Sequence, residues 1–441
     1  MTSRTPGSAP APRPSSALLT DHYELTMVDA ALRSGAASRR CVFEVFARRL
    51  PDGRRYGVVA GTGRLLEAIE AFRFGEAELE WLRGVVDPDT LAFLADFRFD
   101  GDVWGYAEGE CYFPGSPVLV VEADFAHAVV LETVVLSILN HDSAVASAAS
   151  RMTAAAGQRP CIEMGSRRTH EEAAVAAARA AYVAGFASTS NLEAGRRYGV
   201  PTGGTAAHAF TLLHDDERAA FAAQIASLGK ATTLLVDTYD VTRAVETAVE
   251  LAGPGLGAVR IDSGDLLAQA REVRAQLDRL GATDTQVVVT SDLDEYAIAA
   301  LGAAPVDRYG VGTSLVTGSG APTAGMVYKL VAREDASGEL VGVAKKSKDK
   351  ASVGGRKYAL RRRNPRGVAE AEVIGIGERP VDDGDDRDLL VPLMHRGEVV
   401  DGPHSGLEAA RARHRESRAE LPPAALRLQR GEPAIPTVYE D

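Results

Sequence analysis

Hydrophobic and polar positions along this chain change rhythm twice. From about Ala17 to Glu122, helical stretches such as "LLTDHYELTMVDAALRSG" mix with extended runs, "RCVFEVFARRL" and "PVLVVEA", which predicts an α+β unit. Alanine-rich helices then alternate with short apolar strands. Among the helices are "LETVVLSILNHDSAVASAASRM" and "EEAAVAAARAAYVAG". The second has Thr169 three residues before Glu172, a capping-box spacing, and Gly185 just beyond its end, a helix stop. Between residues 159 and 315 the predicted strands are "CIEM", "GFAST", a short one near "GVPTG", "TTLLVD", "GAVRI", "TQVVVTS" and "DRYGVG". Strands alternating with helices pair in parallel. So many units without a dinucleotide fingerprint predict an irregular (β/α) barrel.

The polar residues follow the strands: "GSRR" at 165–168, "STSN" at 188–191, "GGTAAH" at 203–208, "DTYD" at 237–240, "DSGD" at 262–265, "SDLD" at 291–294 and "GVGTS" at 310–314. Loops at the C-terminal ends of parallel strands converge on one rim, so these clusters are expected to form one site. The carboxylate pairs Asp237/Asp240 and Asp262/Asp265 suit Mg²⁺ or sugar hydroxyls, and equally suit helix caps. Arg167, Arg168 and Arg260 offer planar forks for phosphate or carboxylate. The glycines of "YGVGTS" let backbone N–H groups approach a phosphate, with Thr313 and Ser314 adding hydroxyls. His208 stands among small residues, where a ligand can reach it, although a lone histidine is more often structural. Seven clusters in one phase of the alternation outweigh the separate structural readings.

Composition narrows the partners. A net charge of −12 over 441 residues disfavours long-range attraction to nucleic acid or an anionic membrane, so an anionic ligand must be held by local donors. No apolar run approaches the roughly 20 residues of a spanning helix and no signal peptide is evident, so a cytoplasmic protein is expected. Cys41, Cys111 and Cys161 lie far apart and predict free thiols without structural zinc. Residues 1–16 are Pro, Ser and Ala rich and predicted disordered, and the basic stretch 345–363 is predicted as an exposed hairpin around Gly354 and Gly355. The tail "GLEAARARHRESRAELPPAALRLQR" predicts a charged helix.

The stretches "LLTDHYELTM", "SILNHDSAVASAASRM", "GSRRTHEEAAVAAARAAYVAGFASTSNLEAG", "GTAAHAF", "VRIDSGDL" and "YGVGTSLVTGSGAPTAGMVYKL" together resemble a nicotinate phosphoribosyltransferase, from about residue 17 to about 360. The resemblance weakens beyond 365, and the zinc-binding cysteines of some relatives are missing. It implies a type II phosphoribosyltransferase-like α/β barrel at 126–330. A companion α+β domain would be built from 17–125 and 331–441. It also implies the reaction: nicotinate and phosphoribosyl pyrophosphate give nicotinate mononucleotide and pyrophosphate, driven by ATP with Mg²⁺. Carried over by motif, His208 is the histidine that ATP phosphorylates, Thr205 and Arg260 contact nicotinate, and Tyr23 stacks on its ring. Gly312 and Thr313 contact phosphoribosyl pyrophosphate, Asp237 and Asp262 lie near ribose and magnesium, and Arg167 and Ser263 join the substrate site. Asn191 falls where nicotinamide-using relatives carry an acid. The family organisation implies a homodimer with shared active sites. The alternatives are a nicotinamide phosphoribosyltransferase and a catalytically silent barrel acting as an interaction protein.

Overall fold

The computed structural model describes residues 14–345, 352–402 and 404–440. Six parallel strands form one sheet in the order Ser188–Thr189, Cys161–Glu163, Arg308–Val311, Gln286–Val289, Ala258–Ile261 and Thr233–Leu235. A bridge from Thr189 to Thr202 adds the short strand foreseen near "GVPTG" as a single contact. Val289 lies opposite Ile261, and Arg260 opposite Leu235, so neighbouring strands end in step. The irregular barrel expected from the sequence is an open, curled sheet: among the described residues nothing pairs Thr202 with the strand Thr233–Leu235. The connecting chain explains the gap. Gly203 and Gly204 carry no side chain to pack, and the helices His208–Leu213 and Glu217–Leu228 intervene before the next strand.

Helices follow most of the strands, and their first turns are capped by side chains at the sheet rim. Asp216, Asp240, Asp265 and Asp294 each accept an amide N–H from the first turn of their own helix. The helix Glu171–Val183 starts one residue later than its capping-box spacing predicts: His170 Nδ1, not Thr169, accepts the Glu172 amide at 3.3 Å. Gly185, at φ +103°, reverses the chain after it, as expected.

A second, mainly antiparallel sheet runs Leu340–Gly342, Met326–Glu334, Arg40–Ala47, Leu119–Asp124, Asp102–Tyr106, Leu390–His395 and Glu398–Val399. It combines strands from both ends of the chain. Both faces of Arg40–Ala47 are covered, so the strand is buried at every position after Arg40. The long helix Glu132–Ala156 ties the two cores together. Val134, Val135, Ile138 and Leu139 pack in the core of the antiparallel sheet, whereas Val145, Ala146, Ala149 and Met152 pack in that of the parallel sheet. By length and composition the helical stretch Phe125–Ala156 could cross a membrane, contrary to the sequence expectation, but most of its apolar window is buried inside the protein. The three cysteines are buried and free, and burial pushes the Cys111 and Cys161 thiols up to about 12.

Two surface expectations are revised. Residues 1–13 and 346–351 lie outside the described residues, but Ser15 and Ser16 are held by the carbonyls of Arg73 and Ala68. Lys357–Arg363 pairs with Ala369–Ile376 as a hairpin whose turn lies at 364–368, not at Gly354 and Gly355. Its basic residues point inward. Lys357 Nζ donates to Glu44 at 2.7 Å, and fully buried Arg361 donates to Glu372 at 2.7 Å and to the Cys111 carbonyl at 2.8 Å. Glu44 and Cys111 come from distant segments and Glu372 from the facing strand of the hairpin, which a charge run read along the chain does not reveal.

The predicted charged helix in the tail is Leu407–Glu420. It packs against Gly109, where a Cβ would stand 2.1 Å from the Ala410 carbonyl oxygen, so no side chain fits there. Ser417 hydrogen-bonds to Glu110 and to the Cys111 amide, and Arg387 spans Glu110 and Glu420. His414 lies on the buried face of this helix. Desolvation, reinforced by Arg418, depresses it from 6.5 to about 3. The unfolded chain therefore binds this proton first, and stability from neutral His414 is present above pH 6.5 and lost as pH falls towards 3. Urea unfolding should show a decline below pH 6.5 of at most about 1.4 kcal/mol per pH unit from this group. His414→Leu should flatten that slope; an unchanged slope refutes the assignment.

Candidate functional site

Asp237 anchors the site. It follows Thr233–Leu235 by two residues, and its side chain is only 2 % exposed. Oδ2 accepts the Asp262 amide at 2.8 Å and the Ser263 hydroxyl at 2.7 Å, while buried Oδ1 has no protein partner. Asp262 directly follows the adjacent strand Ala258–Ile261, and its Oδ1 accepts from Thr290 Oγ1 at the end of the next. Three neighbouring strands thus set two carboxylates side by side. His208, the first residue of its helix, lies over them: Nε2 is 3.9 Å from Asp237 Oδ1 and 3.9 Å from Asp262 Oδ2. Nδ1 lies 3.2 Å from Thr238 Oγ1. The imidazole is 40 % exposed, so a ligand can reach it.

A cationic region adjoins. Arg260 Nη1 donates to Thr205 Oγ1 at 2.5 Å, leaving a buried Nε–H without a partner. Burial lowers its pKa, which Asp262 and Asp237 oppose and Arg167 reinforces, and the guanidinium stays charged. Asn191 caps the helix Leu192–Tyr198 through Oδ1, accepting from the Ala194 amide, and its Nδ2 donates to Ser166 Oγ beside Arg167. At Gly312 a Cβ would lie 3.4 Å from the Met164 carbonyl oxygen, so the "GVGTS" loop approaches the "GSRR" loop closely. Thr313 and Ser314 open the short helix Thr313–Val316 and line a cavity of about 190 Å³ with Arg54, Arg151, Asp294 and Tyr296.

The structure divides the expected carboxylate pairs. Asp237 and Asp262 face His208, whereas Asp240 and Asp265 serve as helix caps. Tyr23 lies elsewhere, on the helix His22–Ser34 against the antiparallel sheet. It is 46 % exposed, and among the described residues no hydrogen bond joins it to the His208 group. Its hydroxyl is pushed up to about 12, first by burial and then by Glu132. Thr238, Thr290 and Glu217 are functional neighbours that sequence reasoning did not single out. The first two lie in or beside rim clusters already noted, which was the available signal. Glu217 is pushed up to about 7 by burial and by Asp240 and Asp237, and its Oε1 is buried without a partner. A larger cavity, about 1100 Å³, opens between the helix Thr62–Glu70 and the chain around residues 397–407. It contains none of the rim residues, and its buried charges, Arg179 and Glu108, already satisfy each other.

A nucleophilic imidazole over two carboxylates, with guanidinium forks and glycine-bordered hydroxyls on the same rim, suits an anionic substrate and phosphate. The N-terminal domain profile of nicotinate phosphoribosyltransferases matches residues 18–140. The nicotinate phosphoribosyltransferase pncB1 of Mycobacterium tuberculosis is 61 % identical over 429 residues, spanning 95 % of this chain and 94 % of its own. The human nicotinate phosphoribosyltransferase is 32 % identical over 434 residues, with 82 % and 80 % covered. The crystal structure of human nicotinic acid phosphoribosyltransferase superposes with a TM-score of 0.81 at 27 % identity, covering 96 % of this chain and 98 % of that one. A nicotinate-nucleotide pyrophosphorylase structure from Pyrococcus furiosus shares the fold, with a TM-score of 0.76 at 23 % identity and 92 % and 95 % covered. The chain belongs to the nicotinate phosphoribosyltransferase family.

Proposed function

We propose that the chain transfers phosphoribosyl from phosphoribosyl pyrophosphate to nicotinate, forming nicotinate mononucleotide and pyrophosphate for NAD synthesis, on a type II phosphoribosyltransferase scaffold. Transfer is coupled to ATP through phosphorylation of His208. The placement of His208 over Asp237 and Asp262 carries this reading. The two carboxylates favour the proton at Nε2, which leaves the Nδ1 lone pair for the γ-phosphate of ATP once the Thr238 hydroxyl turns aside. In the transfer itself the ring nitrogen of nicotinate forms a bond to C1 of the ribose as the C1–oxygen bond to pyrophosphate breaks. Arg260 and Thr205 orient the nicotinate carboxylate, while Gly312, Thr313 and Arg167 hold phosphate oxygens.

The donor set fits Mg²⁺. Asp237 Oδ1 is a buried carboxylate oxygen with no protein donor, and Asp262 Oδ2 lies on the same side of His208. Asp237 and Asp262 would hold the ion, which when bound neutralises charge on the departing pyrophosphate. Replacing the nucleophile separates coupling from transfer. His208→Ala should abolish ATP hydrolysis and reduce the stimulation of mononucleotide formation by ATP to none, while a slow ATP-independent transfer persists. Undiminished stimulation in that variant refutes the role given to His208.

Nicotinamide is the competing base. Asn191 is uncharged and beside Arg167, whereas an acid there would accept from a carboxamide and repel the carboxylate of nicotinate. Aspartate also caps helices well, so Asn191→Asp should fold. Its kcat/KM for nicotinate should fall at least about tenfold, or about 1.4 kcal/mol, with measurable gain on nicotinamide. Equal use of both bases by the wild-type chain contradicts this account of specificity.

The proposed assembly is a two-fold dimer in which Tyr23 of one chain completes the partner's site. Exposed Leu18, Leu19, Tyr23 and Trp81 on one unit, and exposed Leu192, Leu212, Leu213 and Tyr239 around the rim, support it, because apolar patches of this kind mark interfaces. Tyr23→Ala and His208→Ala homodimers should both lack normal ATP-driven synthesis. When the two are co-expressed and pair randomly, one site of each heterodimer collects both lesions and the other neither, so about a quarter of all sites should regain wild-type behaviour. Heterodimers confirmed by differential tagging that show no rescue refute shared sites.

A further inference from the structure

The loop between the strand Ala369–Ile376 and the short strand Arg387–Asp388 carries Asp382, Asp383, Asp385 and Asp386 around Gly384, far in the fold from the parallel-sheet rim. Gly384 has φ +101°, and the reversal there brings oxygens of Asp382, Asp383 and Asp386 within 4.8 Å of one another. Asp382 and Asp383 are exposed, but the Asp386 side chain is 0 % exposed. Its Oδ2 accepts from Arg362 at 3.3 Å and from the Asp383 amide at 3.4 Å. Its Oδ1 is buried and meets no donor.

Arg362 does not satisfy this group. Its guanidinium is divided among Asp386 at 3.3 Å, Asp383 at 3.7 Å, Glu440 at 3.4 Å and the Val381 carbonyl at 3.0 Å. All three carboxylate distances exceed the 2.7–2.9 Å of a good charge-assisted bond. One cation thus faces two acids of the loop and the C-terminal strand's Glu440, and a buried oxygen is left over. What is missing is positive charge without N–H geometry.

We propose that Asp382, Asp383 and Asp386 form a Ca²⁺ site, with Asp386 Oδ1 as its buried ligand. The donors are carboxylate oxygens with no histidine or cysteine among them, which selects a hard cation over zinc or copper. Ca²⁺ accepts irregular sets of oxygens from a flexible loop and completes its shell with water and backbone carbonyls, whereas Mg²⁺ demands near-octahedral geometry. Such a site would pin the loop to the sheet of Lys357–Arg363, Ala369–Ile376 and Thr437–Glu440. It stands apart from the reaction proposed above, and neither depends on the other.

The test is isothermal titration of CaCl₂ alone into the full-length, chelator-treated protein, beside thermal melts with Ca²⁺ or Mg²⁺. Wild type should take up Ca²⁺ with a Kd on the order of 10⁻⁴ to 10⁻³ M, with Ca²⁺ raising the melting temperature more than Mg²⁺ at equal concentration. Asp386→Asn and Asp382→Asn should each weaken that uptake at least about tenfold, with phosphoribosyl transfer in Mg²⁺ unchanged. Asp386→Asn also disturbs Arg362, so if it folds poorly the decision rests on Asp382→Asn, whose side chain is exposed and bonds only to the Gly384 amide. The site is overturned if wild type shows no uptake up to about 10 mM Ca²⁺, if Asp382→Asn binds as wild type does, or if Mg²⁺ stabilises the loop equally well.

Discussion

Parallel strand pairing in register is the constraint on which this structure depends. Because Thr233–Leu235, Ala258–Ile261 and Gln286–Val289 end in step, the residues just beyond them must share one rim. Asp237 then acts as a clasp. Its Oδ2 takes the amide of Asp262 and the hydroxyl of Ser263, so the two loops cannot separate without breaking bonds to a buried carboxylate. His208 reaches these carboxylates from the chain that follows the bridge residue Thr202, where Gly203, Gly204 and small residues stand.

The same rule explains what was legible in the sequence. Six of the seven predicted strands between 159 and 315 exist, and the one near "GVPTG" is a single bridge, because parallel strands are buried on both faces and show as apolar runs between helices. His208, Asp237, Asp262, Ser263, Thr205 and Arg260 were visible because phase along one alternation becomes position on one rim. Closure was not visible, since it depends on edge pairing between Thr202 and Thr233–Leu235, which local pattern does not encode. Asp240 and Asp265 were ambiguous for a physical reason: an aspartate before a helix is equally a ligand and a cap, and here the backbone amides of Arg243 and Ala268 take them. The inward turn of Lys357 and Arg361 was hidden because their partners, Glu44 and Glu372, belong to other elements. Thr238 and Thr290 orient other side chains, and that service leaves no motif.

Buried charge is treated in two ways in this fold, and the difference locates the chemistry. Arg179 and Glu108 form a bidentate pair, Lys357 meets Glu44, and Arg361 meets Glu372, with Glu110 at 3.7 Å and Glu420 at 4.0 Å to balance its remaining N–H groups. Lys357 thereby ties the hairpin to the antiparallel sheet, and each of these charges faces an opposite one. Asp237 Oδ1, Arg260 Nε and Glu217 Oε1 are buried on one rim and remain without partners. Leaving a buried polar atom unmade costs about 1–3 kcal/mol, and this rim gathers three such atoms of both signs. The open atoms of both signs on this rim, beside the exposed imidazole of His208, are what supports the anionic substrate and hard cation proposed for it.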